Sequence, residues 1–160
     1  MSRFRVFLMR FAMGLVLTFA GAIAILAILA RVVKSPDNLG VRDGKLAPCP
    51  NSPNCVSTQS GDPRHQIDPI PYTTSLAEAR ATLLEIVRSM DRTKIVSQTF
   101  SYIHAEFRTK GIGYVDDVEF FLDEQSRIIH FRSSARLPYY DWEVNRERME
   151  SIRAAFEAEE

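Results

Sequence analysis

The chain lacks the motifs that mark several common enzyme classes, and it carries no net charge. It contains no G-x-S-x-G elbow, no H-E-x-x-H metal motif and no glycine-rich loop of the kind that cradles a phosphate. These absences exclude only the classes that depend on those motifs. Twenty basic and twenty acidic residues cancel, and the basic residues are spread along the chain, so we expect no nucleic-acid partner.

Cysteine and histidine are also scarce. The 160 residues include two cysteines and three histidines, and His65, His104 and His130 lie in three different segments. Structural zinc needs a set of four ligands at short spacings, which this chain does not offer. The composition therefore predicts neither a metal site nor a cofactor.

A long hydrophobic run lies near the start of the chain. The stretch from Phe11 to Ala30 includes no charged side chain. A helix of this length, rising about 1.5 Å per residue, covers the hydrocarbon core of a bilayer. We interpret residues 1–34 as a membrane anchor that contacts lipid through residues 11–30. A cleaved signal peptide and a buried core helix are the alternatives, but the run is long for a signal peptide and ends without a small-x-small pair.

The charges that flank this run predict its orientation. Three arginines precede it, and Arg31 and Lys34 follow it. Because the more basic flank of a span stays in the cytoplasm, we expect residues 35–160 on the other side. In a Gram-negative bacterium this topology is that of a single-pass inner-membrane protein with its carboxyl-terminal domain in the periplasm.

The only two cysteines lie in a proline-rich stretch, LAPCPNSPNCVSTQ. Paired thiols oxidise outside the cytoplasm, and Pro50 and Pro53 can bend the chain enough to bring Cys49 and Cys55 together. We predict a disulfide that orders residues 35–72, a connector with few apolar residues. Zinc ligation, redox catalysis and a plain linker without a staple are the alternatives.

Periodicities after residue 72 predict a single α+β domain over residues 73–160. Ser75 and Glu78 form a capping box, and apolar residues then recur at helical spacing, which predicts a helix near 75–91. Period-two alternation predicts four strands: near 94–99, near 101–109, through YVDDVEFFLD, and near 127–134. A last helix, near 142–158, is predicted with Asp141 as its N-cap. We expect one four-stranded antiparallel sheet with two helices on its apolar face, in the order α-β-β-β-β-α.

Four stretches of the chain resemble a known family. They are NLGVRDGKLAPCPNSPNCVSTQ, YVDDVEFFLD, RSSAR and NRERMESIR. In this order they resemble the signatures of the bacterial family catalogued as domain of unknown function 1499, which has relatives in plants, over roughly Leu39 to Phe156. The resemblance implies a domain that follows an export or anchor segment, and it implies no activity. Two departures from the family pattern lie before the last helix, where LP follows RSSAR and WE precedes VNR.

Alternation in the second to fourth strands places charged residues on one face of the sheet. Asp117 and Glu119 point away from the apolar side of the third strand, and Arg132 can join them from the fourth. His104 and Glu106 share this face if the strands are in register. Such a face can bind a polar ligand or a divalent ion, or it can be an ordinary solvated surface with cross-strand ion pairs.

A second set of polar residues is expected in semi-buried positions. Asp116 falls on the apolar side of its strand, with Arg132 or Arg136 as its expected partner. Asn145 falls on the buried stripe of the last helix, and Arg146 lies beside it at the polar edge. We therefore predict one cluster of these residues, which either stabilises the fold or holds a ligand.

Three aromatic residues come just before the last helix: Tyr139, Tyr140 and Trp142. Aromatic residues in such a cluster are expected to pack against the helix or to form an interface. A platform for a sugar or a lipid is the alternative.

These observations favour a membrane-anchored module outside the cytoplasm that binds a small polar ligand or another envelope protein without catalysing a reaction. The alternative is an envelope hydrolase or transferase in which Asp117 and Glu119 form an acid/base pair and Arg132 clamps an anion. The sequence does not decide whether the protein is an enzyme. An enzyme needs those side chains to converge in an open pocket, whereas a flat solvated face would count against one.

Overall fold

The computed structural model describes residues 3–137 and 140–159. Its first element is a long helix, α1 (Arg3–Val32), and the stretch Arg3–Ile28 within it is long and apolar enough to cross a membrane. The most apolar part of this helix is not buried against the rest of the protein. The prediction of an N-terminal apolar helix of spanning length is confirmed.

The rest of the chain forms one sheet and two further helices. The strands are β1 (Cys55–Ser57), β2 (Ile70–Pro71), β3 (Thr93–Gln98), β4 (Tyr102–Arg108), β5 (Val115–Asp123) and β6 (Ile128–Ala135), and the helices are α2 (Leu76–Ser89) and α3 (Val144–Glu159). Neighbouring strands are antiparallel in the order β1-β6-β5-β4-β3, and β2 also pairs with β6. The α+β class and the antiparallel sheet are confirmed.

The predicted number of strands is wrong, because the described residues form six strands and not four. The two missed strands, β1 and β2, are three and two residues long, which is too short for alternation to reveal them. Both pair with β6 along the same edge, and β2 tolerates Pro71 because an edge strand can leave a backbone position without a donor. Part of the segment 35–72 therefore belongs to the sheet.

One face of the sheet is apolar and carries both α2 and α3. The buried residues that meet there come from the central strands and from one stripe of each helix: Ile103, Ala105, Phe107, Val118, Phe120, Leu122, Ile129, Phe131, Leu83, Val87, Met149, Ile152 and Phe156. Removing this apolar surface from water is the main favourable contribution to folding.

Helix α2 begins at the predicted cap. The Ser75 hydroxyl accepts a hydrogen bond from the Glu78 backbone N–H, and the Glu78 carboxylate accepts one from the Ser75 backbone N–H at 3.0 Å. The predicted capping box is confirmed, because both reciprocal bonds are present. The helix ends at Ser89, two residues before the predicted end.

Helix α3 begins two residues later than predicted. Trp142 and Glu143 have φ angles of 52° and 67°, which lie in the left-handed region and cannot continue into a helix. The Asp141 carboxylate accepts a hydrogen bond from the backbone N–H of Asn145 at 3.1 Å, so Asp141 satisfies a donor of the first turn as a cap does.

Candidate functional site

The side of the sheet opposite the helices carries the charged residues predicted for it. The register pairs His104 with Glu119 across β4 and β5, and Glu119 with Arg132 across β5 and β6. Side chains of directly opposed residues are close enough to interact. We call this set, completed by Arg136 just after β6, the charged face: His104, Glu106, Asp117, Glu119, Arg132 and Arg136.

Asp117 is the centre of the charged face, with 1% of its surface exposed. Its carboxylate accepts hydrogen bonds from Nε and Nη2 of Arg136, both at 2.7 Å, and from Nε2 of His104 at 2.8 Å. Burial raises the pKa of Asp117, but the bonds from Arg136 and His104 outweigh it, so the pKa lies below its ordinary value. The carboxylate is therefore ionised and fully occupied.

Glu119 is also occupied on both oxygens. Its Oε1 accepts from the Tyr102 hydroxyl and from the Gly40 backbone N–H, both at 2.7 Å, and its Oε2 accepts from Nη1 of Arg132 at 3.2 Å. Burial and then the negative charge of Glu119 raise the pKa of Tyr102, so the phenol stays protonated and donates. The Nε of Arg132 is buried without a hydrogen-bond partner, and nothing in the structure explains it.

Arg136 joins the charged face to the end of α1. Its Nη2 donates to Glu106 at 2.7 Å as well as to Asp117, and its Nη1 donates to the backbone oxygen of Val33 at 3.2 Å. Val33 is the first residue after α1. The guanidinium therefore ties two strands of the sheet to the point where the chain leaves the apolar helix.

The segment that follows α1 covers the charged face. Besides Val33, the hydroxyl of Ser35 lies 3.5 Å from Asp117, and Gly40 reaches Glu119 through its backbone. Gly40 has a φ of 108°, a conformation that other residues rarely adopt, so glycine is needed where this N–H turns towards Glu119. We call residues 33–40 the covering segment.

One of the two alternatives for this face, an ordinary solvated surface, is therefore wrong. His104, Asp117, Glu119 and Arg132 are each exposed by at most 4% of their surface. The carboxylates do converge with arginine and histidine, as an enzyme would require, but they converge beneath the covering segment and on one another. Asp117 and Glu119, the predicted acid/base pair, therefore have no free carboxylate oxygen for a substrate.

Asp116 lies on the opposite side of the sheet, as predicted, but its predicted partners are wrong. Its carboxylate pairs with Nη2 of Arg148 at 2.6 Å, while Arg132 and Arg136 belong to the charged face. The Arg148 guanidinium also lies 4.7 Å from the centre of the Phe107 ring. Burial raises the pKa of Asp116 above its ordinary value, and Arg148 opposes that shift.

Asn145 is fully buried on α3, as its place on the apolar stripe predicted. Its Nδ2 donates to Asp141 at 2.6 Å and to the backbone oxygen of Asn54 at 3.1 Å. Its Oδ1 accepts from the Ser133 hydroxyl and, at 2.8 Å, from Nη1 of Arg148. The side chain links α3 to β6 and to the residue before Cys55, so every polar atom it buries is satisfied.

Arg146 belongs to neither group. It donates to the backbone oxygens of Gln66 at 3.0 Å and Arg64 at 3.3 Å, and it forms an ion pair with Glu143 at 3.4 Å. The prediction of a single cluster is wrong: Arg132 and Arg136 lie on the charged face, Asp116 and Asn145 on the helix side, and Arg146 at the surface. The sheet itself separates the first two groups.

An open cleft lies beside the two cysteines. Cys49 and Cys55 form the predicted disulfide, with a Cα–Cα distance of 5.7 Å. The cleft encloses about 310 Å³, at the lower end of the range for small-ligand sites. Its walls combine apolar and polar groups, and no residue of the charged face lines it: Lys45, Leu46, Ala47, Pro48, Cys49, Pro50, Asn51, Ser57, Gln59, Ser60, Gly61, Asp62 and His65.

His65 supplies a buried polar group to the wall of this cleft. Its Nδ1 lies 2.8 Å from the backbone oxygen of Cys55. A carbonyl oxygen only accepts, so Nδ1 must donate, and in the neutral ring Nε2 then carries a lone pair. The side chain can thus accept a hydrogen bond from a ligand. Within the described residues, no three His, Cys, Asp or Glu side chains are grouped so as to hold a metal ion.

Residues 45–156 match the family model described as Protein of unknown function (DUF1499). The chain belongs to this family. The DUF1499 region includes the disulfide, the cleft, the whole sheet and nearly all of α3, whereas the covering segment precedes it. No curated protein matches the chain.

Besides the covering segment, sequence reasoning missed Arg148, Tyr102 and His65. Arg148 lies three residues after Asn145 and four before Ile152, so helical spacing could have placed it on the buried side of α3. Tyr102 and His65 carry no comparable local signal. Tyr102 contacts Glu119 on the neighbouring strand β5, and His65 contacts the backbone oxygen of Cys55, ten residues earlier. Only folding brings these groups close together.

Proposed function

We propose that this DUF1499 protein is a membrane-tethered module that lies outside the cytoplasm and binds a ligand or another envelope protein without catalysing a reaction. The observation that carries the proposal is the state of the charged face. Asp117 and Glu119 are buried, paired with arginine and covered, so neither is available as a general acid or base. A catalytic carboxylate needs access to the substrate and a free oxygen that can donate or accept a proton.

The cleft beside the disulfide is the best-formed place for a ligand. It is open, lined by proline and leucine as well as by Lys45, Asn51 and His65, and held by the Cys49–Cys55 bond. Apolar walls with a few fixed polar groups are typical of small-ligand sites. A ligand that fits would present a hydrogen-bond donor to His65 and an acceptor or negative group to Lys45.

Blocking the cleft tests the proposal. Full-length protein would be purified from its own membranes and weighed by native mass spectrometry, as wild type, as Asn51→Trp and as Glu124→Trp. Asn51 is exposed and lines the cleft, while Glu124 is exposed on the distant β5–β6 turn and serves as the matched control. We expect a bound mass in the wild type and the control but not in Asn51→Trp. The same bound mass in all three, or in none, would refute the cleft as the binding site.

The topology needs a separate test. Alkaline phosphatase folds only where disulfides form, so fusions after Ser35 and at the carboxyl end should be active if these residues are exported. Fusions that are expressed but inactive would reject the proposed orientation.

A further inference from the structure

The end of α1 lies at one end of the sheet. Val33, the residue after the helix, accepts a hydrogen bond from Arg136, which directly follows β6. The antiparallel register brings the end of β6 next to the start of β5 and the end of β4, where Val115 pairs with Arg108. We call this the α1 end of the sheet. The β3–β4 and β5–β6 turns lie at the other end, about 20 Å away along the seven residues of β4.

Exposed apolar side chains are concentrated at the α1 end. Among the described residues outside α1, six large hydrophobic side chains are exposed, and four of them lie just after β6: Leu137, Tyr140, Trp142 and Val144. Trp142 is 79% exposed and Tyr140 is 62% exposed. These four residues line a common small cavity with Thr109 and Tyr114 of the β4–β5 connection, so they form one patch. Tyr139, the remaining residue of the predicted aromatic cluster, lies outside the described residues.

The backbone holds Trp142 in this exposed position. Its φ of 52° and the φ of 67° at Glu143 are both left-handed, a conformation that is unfavourable for a residue with a Cβ. A tryptophan that is 79% exposed in a strained turn gains little from packing within the domain. Such a position is explained if the indole has a partner outside it.

The chemistry of the α1 end suits a bilayer surface. Tryptophan and tyrosine are enriched at the membrane–water interface, where one side of the ring is apolar and the other can donate to headgroups. Lys34 and Lys110 are exposed at the same end and can attract anionic headgroups, while Glu143 is paired with Arg146. Because α1 ends at this end of the sheet, the nearest bilayer is the one that α1 would cross.

We propose that the patch formed by Leu137, Tyr140, Trp142 and Val144 rests in the headgroup region of the same bilayer that holds α1. This inference rests on the proposed membrane tether and adds a second contact to it. Two contacts, the helix and the patch, set the domain's orientation, with the α1 end of the sheet towards the lipid and the opposite turns away from it.

Trp142 is the chain's only tryptophan, so its fluorescence reports on this patch alone. Full-length protein would be reconstituted into phosphatidylcholine–phosphatidylglycerol vesicles with bromine at a shallow or a deep acyl position. We expect about a twofold loss of emission with the shallow bromine, a smaller loss with the deep one, and protection from aqueous iodide, as for an indole at the interface.

A matched control moves the tryptophan to the other end of the sheet. Phe100 is 67% exposed in the β3–β4 turn, so the Trp142→Phe, Phe100→Trp variant carries one exposed tryptophan far from the α1 end. We expect this variant to be quenched by iodide and not by brominated lipid.

Flotation of the vesicles separates the two proposals. Protein that does not float with the vesicles would reject the membrane tether itself. Protein that floats, but whose Trp142 is quenched by iodide and not by lipid, would overturn the patch while leaving the tether in place. Equal lipid quenching at positions 142 and 100 would also overturn it, because the domain would then lie on the membrane without the proposed orientation.

Discussion

The two faces of the sheet are buried by different means. The helix face is covered by α2 and α3 through apolar contacts, and a buried ion pair joins Asp116 to Arg148 there. The charged face is covered by the short covering segment, through hydrogen bonds to Asp117 and Glu119 and to the backbone oxygen of Val33. The same alternation in β4, β5 and β6 produces both.

The difference matters because mutations destabilise the two kinds of buried face by different amounts. An apolar face loses stability in proportion to the surface removed and can partly repack. A buried charge network loses far more when one partner is deleted, because the remaining charge is left without compensation. The charged face should therefore be the less tolerant of the two, although it is covered by fewer residues.

Asp117→Asn should give the largest effect. It removes the charge that compensates Arg136 and weakens the acceptor of the His104 hydrogen bond, and we expect a loss of about 3–5 kcal/mol in the free energy of unfolding. Urea denaturation of the full chain measures it, with Glu124→Gln on an exposed turn as the control for charge change alone. A loss no larger than that of the control would mean that the network does not stabilise the fold.

Asp116→Asn tests the ion pair between Asp116 and Arg148 on the helix face. We expect a loss of about 1–3 kcal/mol, because the half-buried Arg148 guanidinium then loses its ionic partner. The same substitution in an Arg148→Met background should cost much less, since the pair is already broken. Equal costs in both backgrounds would show that the two side chains are not coupled.

Removing the disulfide should cost about 2 kcal/mol in the entropy model for so short a loop. The double variant Cys49→Ser, Cys55→Ser removes the covalent link at the start of β1, so we expect the residues around the cleft to become more mobile than those of the helix face. Faster hydrogen exchange of the β1 and β6 amides would measure this mobility. In the wild type, alkylation before reduction should label neither cysteine, and two labelled thiols would disprove the bond.

Gly40→Ala tests the covering segment with a smaller change. A Cβ meets open space at this position, but the φ of 108° is unfavourable for alanine, so we expect a loss of about 1 kcal/mol and weaker protection of the covering segment from exchange. Gly61→Ala is the control, because it also meets open space and has no such φ. Equal effects at both glycines would argue against a role for the Gly40 conformation.

The smallest expected effect is a change in acid sensitivity, with opposite signs for two neighbouring residues. The pKa of Asp117 is lowered on folding, so its contribution to stability is present above the unfolded pKa of about 3.9 and is lost as the pH falls through the folded pKa. The pKa of Asp116 is raised, so its contribution is present below the unfolded pKa and is lost as the pH rises through the folded pKa. Between about pH 2 and 6, the free energy of unfolding should therefore depend less steeply on pH in Asp117→Asn than in the wild type, and more steeply in Asp116→Asn.

Local patterns predicted much of this molecule. The alternation around Val118 and Phe120 predicted both faces of β5, the Ser75–Glu78 spacing predicted the start of α2, and the position of Asn145 predicted its burial. What the sequence did not predict depends on long-range contacts. Gly40 and Glu119 are separated by 79 residues, and the partner of Asp116 is 32 residues away. No local signal indicated that the segment after α1 would fold back over the sheet.

The bond between Val33 and Arg136 also limits how far the domain can reach. It forms one residue after α1 ends, so no flexible linker separates the domain from the helix. A domain of this size has a radius of gyration of about 14 Å, so in the proposed topology it extends no more than roughly 40 Å from the lipid. A partner in a more distant layer of the envelope would have to approach the membrane itself. Encounters with other membrane proteins, in contrast, would take place in two dimensions and at a fixed height, which raises their effective concentration without any added affinity.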